Sequence, residues 1–156
     1  MPRLPRTIRR RSLHALLGGA LLASLFGALS RQALAGDAEF RVIIHPNNGS
    51  TALDRTLLAD YFLKKATRWN DGETVKPVDL KSDNAVRKRF SESVLKRSVG
   101  AVRSYWQQRI FSGRDVPPPE VDSDEAVMAY VARYPGAIGY VSGGTKLVGV
   151  RELTLR

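Results

Sequence analysis

Apolar and polar positions follow two repeating patterns along the chain, and together they predict short strands and amphipathic helices. Residues 40–45 form a β-branched run that ends in a Pro-Asn-Asn-Gly turn, which predicts a buried strand. Residues 75–80 predict a second strand, and Pro77 indicates that it lies at an edge of the sheet or is irregular. Residues 137–141 and 147–155 flank a Gly-Gly turn, so they predict a hairpin that closes the chain.

Helices are predicted between these strands. Each begins at a residue that can cap a helix, and apolar residues then recur at helical spacing. The capping positions are Asp54, the Ser82-Asp83-Asn84 segment, Ser98 and Ser123. The order of strand, helix, strand, three helices and two strands predicts an α/β fold with a three-layer mixed sheet and flanking helices. Crossover helices between strands make part of such a sheet parallel.

The first 35 residues have the organisation of a secretory signal peptide. A basic stretch that includes Arg9, Arg10 and Arg11 precedes an apolar run over residues 15–29, which is shorter than the ~20 residues that span a bilayer. Small residues, Ala33 and Ala35, then mark a cleavage site before Gly36. We expect a signal peptide over 1–35 and a single periplasmic domain over 36–156 with no membrane span. An uncleaved anchor is the alternative, and both the general and the twin-arginine export routes stay open.

Removal of this segment changes the charge of the protein. The whole chain carries a net charge of +10, but 6 of its 25 Lys and Arg residues precede Gly36. The remaining 19 basic and 15 acidic residues give +4. A charge this small excludes nucleic acid as the expected partner. The chain contains no cysteine, which excludes disulfides, a lipid-modified cysteine and thiolate sites.

Catalytic and metal-binding chemistry find little support in the sequence. His14 lies in the predicted signal peptide, and His45 stands alone at the end of the first predicted strand. Neither histidine has a nucleophile or further ligands at a suitable spacing. We therefore predict that the protein is not an enzyme and uses neither a metal nor another cofactor.

Several short motifs occur in an order that resembles a known family. They are HPNN, LLADYFLKK, WNDG, YW, IFSG and YPGAIGYV, and the resemblance extends over residues 43–141. This combination resembles the periplasmic phosphate-binding proteins of ABC phosphate importers. The resemblance implies a fold like one lobe of a type II periplasmic binding protein. It also implies a small oxyanion ligand, suspected to be phosphate, and an ABC transporter permease as a partner. Because the family has two lobes, self-association could supply a second one.

Three groups of residues are candidate ligands of the anion. Ser82, Asp83 and Asn84 lie about where the family has a Ser-Gly-Thr loop that opens a helix, and helix N-termini favour oxyanions. Ser82 and Asn84 are therefore candidates, and Arg87 could add a positive charge one turn further on. Ser50 and Thr51 precede the first helix, and Gly139 and Tyr140 could line a cleft. Each group also has a structural interpretation, namely helix capping at 82–84, an ordinary turn at 50–51 and packing at 139–140.

The sequence thus predicts an exported solute-binding protein for phosphate or a similar oxyanion, serving ABC-type transport or sensing. The alternative is a lobe without a ligand that acts as a partner-interaction protein of the cell envelope. Asp79 and Asp83 favour this alternative, because Asp79 takes the place of a family arginine and acidic residues repel an anion.

Overall fold

The computed structural model describes residues 39–156. The predicted signal peptide over 1–35, its cleavage site and the first residues of the predicted domain lie outside this range, so they stay predictions.

The described residues form a five-stranded mixed sheet in the order β2-β7-β1-β6-β3. The central strand β1 pairs antiparallel with β6 and with β7, whereas the edge strands β2 and β3 run parallel to their neighbours. A separate parallel pair is formed by β4 and β5. The strands are β1 (Phe40–Ile44), β2 (Ala52–Leu53), β3 (Lys76–Pro77), β4 (Asp79–Leu80), β5 (Glu120–Val121), β6 (Ala137–Ser142) and β7 (Arg151–Leu155).

The predicted helices are confirmed with their starting points. They are α1 (Arg55–Phe62), α2 (Ala85–Phe90), α3 (Val99–Phe111) and α4 (Asp124–Arg133), and α2 continues as a π-helical segment over Ser91–Leu95. Asn84, Ser98 and Ser123 accept hydrogen bonds from backbone N–H groups in the first turns of α2, α3 and α4. Asp54 is the N-cap residue of α1 but forms no side-chain cap hydrogen bond. Local cap chemistry therefore places three of these helix starts.

Helices cover both faces of the sheet, as the alternation of residues along β6 shows. Tyr140 points toward α1 and α2, where its ring stacks on Phe90 with centroids 3.9 Å apart. Gly139 points to the opposite face, where a Cβ atom would lie 2.6 Å from Cγ1 of Val127 in α4. The predicted three-layer α/β architecture is confirmed, and glycine at position 139 permits the close approach of α4.

The predicted closing hairpin is wrong. Strands β6 and β7 do not pair with each other, because β1 lies between them and is hydrogen-bonded to both. Ile43 and Ile44 of β1 point to opposite faces of the sheet and are completely buried, because helices cover both faces. The edge position expected from Pro77 is confirmed, since β3 pairs only with β6. The two-residue strands β2 and β5 were not predicted, because they are too short to show periodicity.

Candidate functional site

A group of buried polar side chains joins β4, α2 and β6. Asp79 forms an ion pair with Arg87 and accepts a hydrogen bond from the Tyr140 hydroxyl. The backbone N–H of Leu80 also donates to Asp79 Oδ1, at 3.0 Å. The three side chains are nearly inaccessible to solvent, with no residue more than 4% exposed. We call Asp79, Arg87 and Tyr140 the closed cluster.

Burial controls the ionisation of the closed cluster. It raises the pKa of the Tyr140 phenol well above 10.0, against the opposing charge of Arg87, so Tyr140 remains a hydrogen-bond donor. Burial also lowers the pKa of Arg87, while the charges of Tyr140 and Glu120 act in the opposite direction. Asp79 lies beside Arg87 inside the core, where the guanidinium compensates its charge. The carboxylate that was expected to repel an anion is therefore neutralised within the protein.

A cavity of about 200 Å³ lies next to the closed cluster and is partly open to solvent. Two of the predicted site residues, Ser82 and Arg87, line this cavity. Arg103 from α3 lines it as well and approaches Ser82, with 3.4 Å between Arg103 Nη2 and Ser82 Oγ. The cavity thus brings together a hydroxyl and two guanidinium groups, which are donors suited to an oxyanion.

The rest of the cavity wall combines apolar and acidic groups. Val102 and Trp106 of α3 are 1% and 6% exposed, and both contribute to the wall together with Pro117. Glu120 of β5 also lines the cavity. The cavity can therefore hold a small molecule between a polar end and an apolar wall.

The remaining predicted site residues are not brought to this cavity. Ser50 and Thr51 precede β2, at the opposite edge of the sheet from β3, and their carbonyl groups accept hydrogen bonds from Arg151 and Thr154. A single cleft between Ser50 and Ser82 is therefore not formed within residues 39–156. Ligand binding by Ser50 and Thr51 stays a prediction.

Asn84, Gly139 and Tyr140 have structural contacts of their own. The side-chain oxygen of Asn84 accepts a hydrogen bond from the N–H of Val86 at 2.8 Å, as a helix cap does. Gly139 packs against α4, and Tyr140 is completely buried in the closed cluster. These contacts match the structural interpretation of each residue. A contact of Asn84, Gly139 or Tyr140 with a ligand stays a prediction.

Sequence reasoning missed Arg103 and Glu120 as cavity residues. Arg103 is 21 positions from Ser82, and a single arginine on an exposed helix face has no local pattern that marks it as a ligand. Glu120 belongs to the unpredicted strand β5. Trp106 is one of the two buried residues of α3, together with Val102.

Two further features concern the described residues as a whole. Over 39–156, no helix combines the length and the apolar character that crossing a membrane requires. No group of three or more His, Asp and Glu side chains in this part of the chain is arranged to hold a metal ion. The side chain of His45 accepts a hydrogen bond from the N–H of Asn47 at 3.1 Å, within the turn that follows β1.

Comparison with known proteins gives structural neighbours but no sequence relatives. No protein-family model and no curated protein matches the chain. An ABC-type phosphate transport receptor from Vibrio cholerae has a TM-score of 0.60 and 16% identity, over 74% of this chain and 45% of its own. A phosphate ABC transporter substrate-binding protein with bound phosphate from Clostridium perfringens also has a TM-score of 0.60, with 19% identity over 74% and 44%. PstS from Borrelia burgdorferi has a TM-score of 0.55 and 14% identity over 75% and 47%.

These neighbours confirm the predicted resemblance at the level of fold. The chain has the α/β fold found in phosphate-binding proteins of ABC transporters, and it spans less than half the length of each of these neighbours. The structural neighbours are binding proteins and not enzymes. Their shared fold by itself does not assign a ligand, because one fold hosts many functions.

Proposed function

We propose that the protein is an exported periplasmic solute-binding protein that binds phosphate or a similar oxyanion for ABC-type transport or sensing. The observation that carries the proposal is the meeting of Ser82 and Arg103 at one cavity, with Arg87 in its wall. The fold shared with phosphate-transport proteins supports the same choice of ligand. The bound anion would receive charge-assisted hydrogen bonds and would undergo no covalent change.

The partly open cavity suggests how a single lobe could hold its ligand. A cleft between two bodies excludes water from the anion and strengthens its hydrogen bonds. Because the family that the sequence resembles has two lobes, we propose that a second copy of the chain or another protein supplies the opposite wall. An ABC transporter permease would then receive the loaded protein.

Titration calorimetry of the exported, purified protein with phosphate and with sulfate tests the proposal. Ser82→Ala removes a hydroxyl donor, so we expect phosphate binding to weaken by about 1–3 kcal/mol. The control is Ser104→Ala, because the exposed Ser104 hydroxyl donates only to the carbonyl of Gly100 in its own helix. If Ser82→Ala and the wild type bind phosphate with equal affinity, Ser82 does not contact the anion. The mass of the exported protein tests cleavage before Gly36.

A second candidate function is a lobe that binds a protein partner instead of a small ligand. Large apolar side chains are exposed where α3 ends and in the segment that follows, at Phe111 (90%), Val116 (61%) and Ile110 (49%). Exposed apolar groups close together mark interaction surfaces. This candidate predicts no heat with phosphate or sulfate. It also predicts that Phe111→Ser reduces association in sedimentation experiments, and an unchanged association state would exclude a role for this segment in self-association.

A further inference from the structure

The cavity presents one exposed positive group to a ligand. Arg103 is exposed and directs its guanidinium to Ser82, and within residues 39–156 no carboxylate lies close enough to form an ion pair with it. Arg87 is 97% buried and paired with Asp79, so its charge is compensated inside the protein. Of the two arginines that line the cavity, Arg103 is therefore the one that is open to a ligand.

The cavity also carries a negative group. Glu120 lines it, and no Lys or Arg of residues 39–156 forms an ion pair with this carboxylate. Arg103 and Glu120 line the same cavity. A ligand that binds to Arg103 therefore also comes under the influence of Glu120.

The balance of charge around the cavity does not favour a dianion. Asp79 compensates Arg87, so the cavity retains one uncompensated cation, Arg103, and one uncompensated anion, Glu120. A doubly charged phosphate would gain from Arg103 but would be repelled by Glu120. A ligand with one acidic and one basic group would be complementary to both charges.

The remaining wall is apolar and the space is small. Val102, Trp106 and Pro117 form an apolar surface beside the charged groups. The volume of about 200 Å³ is below the roughly 300 Å³ at which sites for drug-sized molecules begin. The ligand that fits is compact, and part of it is apolar.

We infer that the ligand of this cavity is a small zwitterion with an apolar side chain, of the chemical class of an aliphatic α-amino acid. Its carboxylate would bind to Arg103 and Ser82. Its ammonium group would bind to Glu120, and its side chain would pack against Trp106 and Val102. This inference rests on the proposed oxyanion site and names the oxyanion as a carboxylate.

Calorimetric titration with four matched compounds tests the inference on the whole exported protein. L-leucine carries both charges, 4-methylpentanoate lacks the ammonium group, leucinamide lacks the carboxylate, and inorganic phosphate is the dianion. Since hydrogen bonds to charged groups stabilise complexes measurably, we expect leucine to bind about tenfold or more tightly than either truncated compound and than phosphate.

Glu120→Gln separates this inference from the broader proposal. We expect the variant to bind leucine about tenfold more weakly and to bind phosphate more tightly than the wild type does. Asp122→Asn is the matched control, because Asp122 is a nearby acidic residue that pairs with Lys81 and does not line the cavity. A thermal melt checks that both variants are folded.

The outcomes distinguish two kinds of failure. If phosphate binds more tightly than leucine, the inference that the ligand is a zwitterion is wrong, but the proposed oxyanion site stands. Leucine binding that Glu120→Gln leaves unchanged would overturn the assignment of the ammonium group. An absence of binding with all four compounds would overturn both this inference and the proposed oxyanion site.

Discussion

Arg87 and Arg103 line the same cavity, but they lie in different surroundings. Arg87 belongs to the closed cluster, is 3% exposed and forms an ion pair with the buried Asp79. Arg103 is exposed on α3 and approaches Ser82, and Glu120 lines the cavity with them. We call Ser82, Arg103 and Glu120 the open rim.

The comparison shows that residue type alone does not decide what a charged side chain does. A buried charge must be compensated inside the protein, so Arg87 is committed to Asp79 and contributes to the structure. An exposed charge is stabilised by water and can exchange that water for a ligand. We therefore expect changes in the closed cluster to alter stability, and changes in the open rim to alter binding.

The largest effect is expected for Asp79→Ala. This change leaves the Arg87 guanidinium buried without its partner, so the free energy of unfolding should fall by about 3–5 kcal/mol in urea denaturation. The control is Asp122→Asn, which breaks the exposed ion pair with Lys81 and should change stability little. A double variant of Asp79→Leu with Arg87→Met should recover most of the loss. If it does not, compensation of charge is not the main role of the pair.

Tyr140→Phe should have the next largest effect. It removes the hydroxyl donor to the buried Asp79, and the free energy of unfolding should fall by about 1.5–3 kcal/mol. The variant also tests a dependence on pH. Burial raises the pKa of Tyr140 in the folded state, so that state retains the phenol proton to higher pH than the unfolded state does.

The stabilisation from this proton is fully present below the unfolded pKa near 10.0 and is lost as the pH rises above it. We expect the stability of the wild type to decline above pH 10 and that of Tyr140→Phe to decline less steeply. Burial also raises the pKa of Tyr61 and Tyr130, so some decline should remain in the variant. If the free energy of unfolding declines with pH at the same slope in both proteins, the decline is caused by residues other than Tyr140.

Gly139→Ala extends the comparison to the other face of β6. The added Cβ would lie 2.6 Å from Val127 and 2.9 Å from Val78, so overpacking should cost about 1–3 kcal/mol of stability. Gly144→Ala is the control, because no atom lies within 4 Å of the corresponding Cβ. Thermal melts compare the two variants. A stable Gly139→Ala protein with lost ligand binding would instead favour the predicted role of Gly139 in a cleft.

Arg103→Gln should have the smallest effect on stability. The side chain is exposed, so we expect a change of about 0.5 kcal/mol or less in urea denaturation. Calorimetry should nevertheless show weaker oxyanion binding than in the wild type, because the variant lacks the uncompensated cation of the cavity. A variant that binds as well as the wild type would show that the open rim is not the site.

The sequence by itself determined the local features of this protein. Asn84, Ser98 and Ser123 cap helices because a side-chain oxygen can reach N–H groups two or three residues ahead, whatever the rest of the chain does. Pro77 indicated an edge strand because it lacks an N–H group. Ser82 and Arg87, predicted as ligands at the start of a helix, both line the cavity, and their contact with a ligand stays a prediction.

Only the tertiary structure decided which distant segments meet. The placement of β1 between β6 and β7 depends on backbone pairing with two strands that are distant in sequence, which a turn at Gly143 does not specify. Tyr140 reaches Asp79 across 61 positions, and Arg103 reaches Ser82 across 21. Such pairs leave no periodic signal, because packing of the whole core determines them. The sequence therefore determined the helices and the longer strands, and the packed fold decided which charges are compensated and which remain exposed.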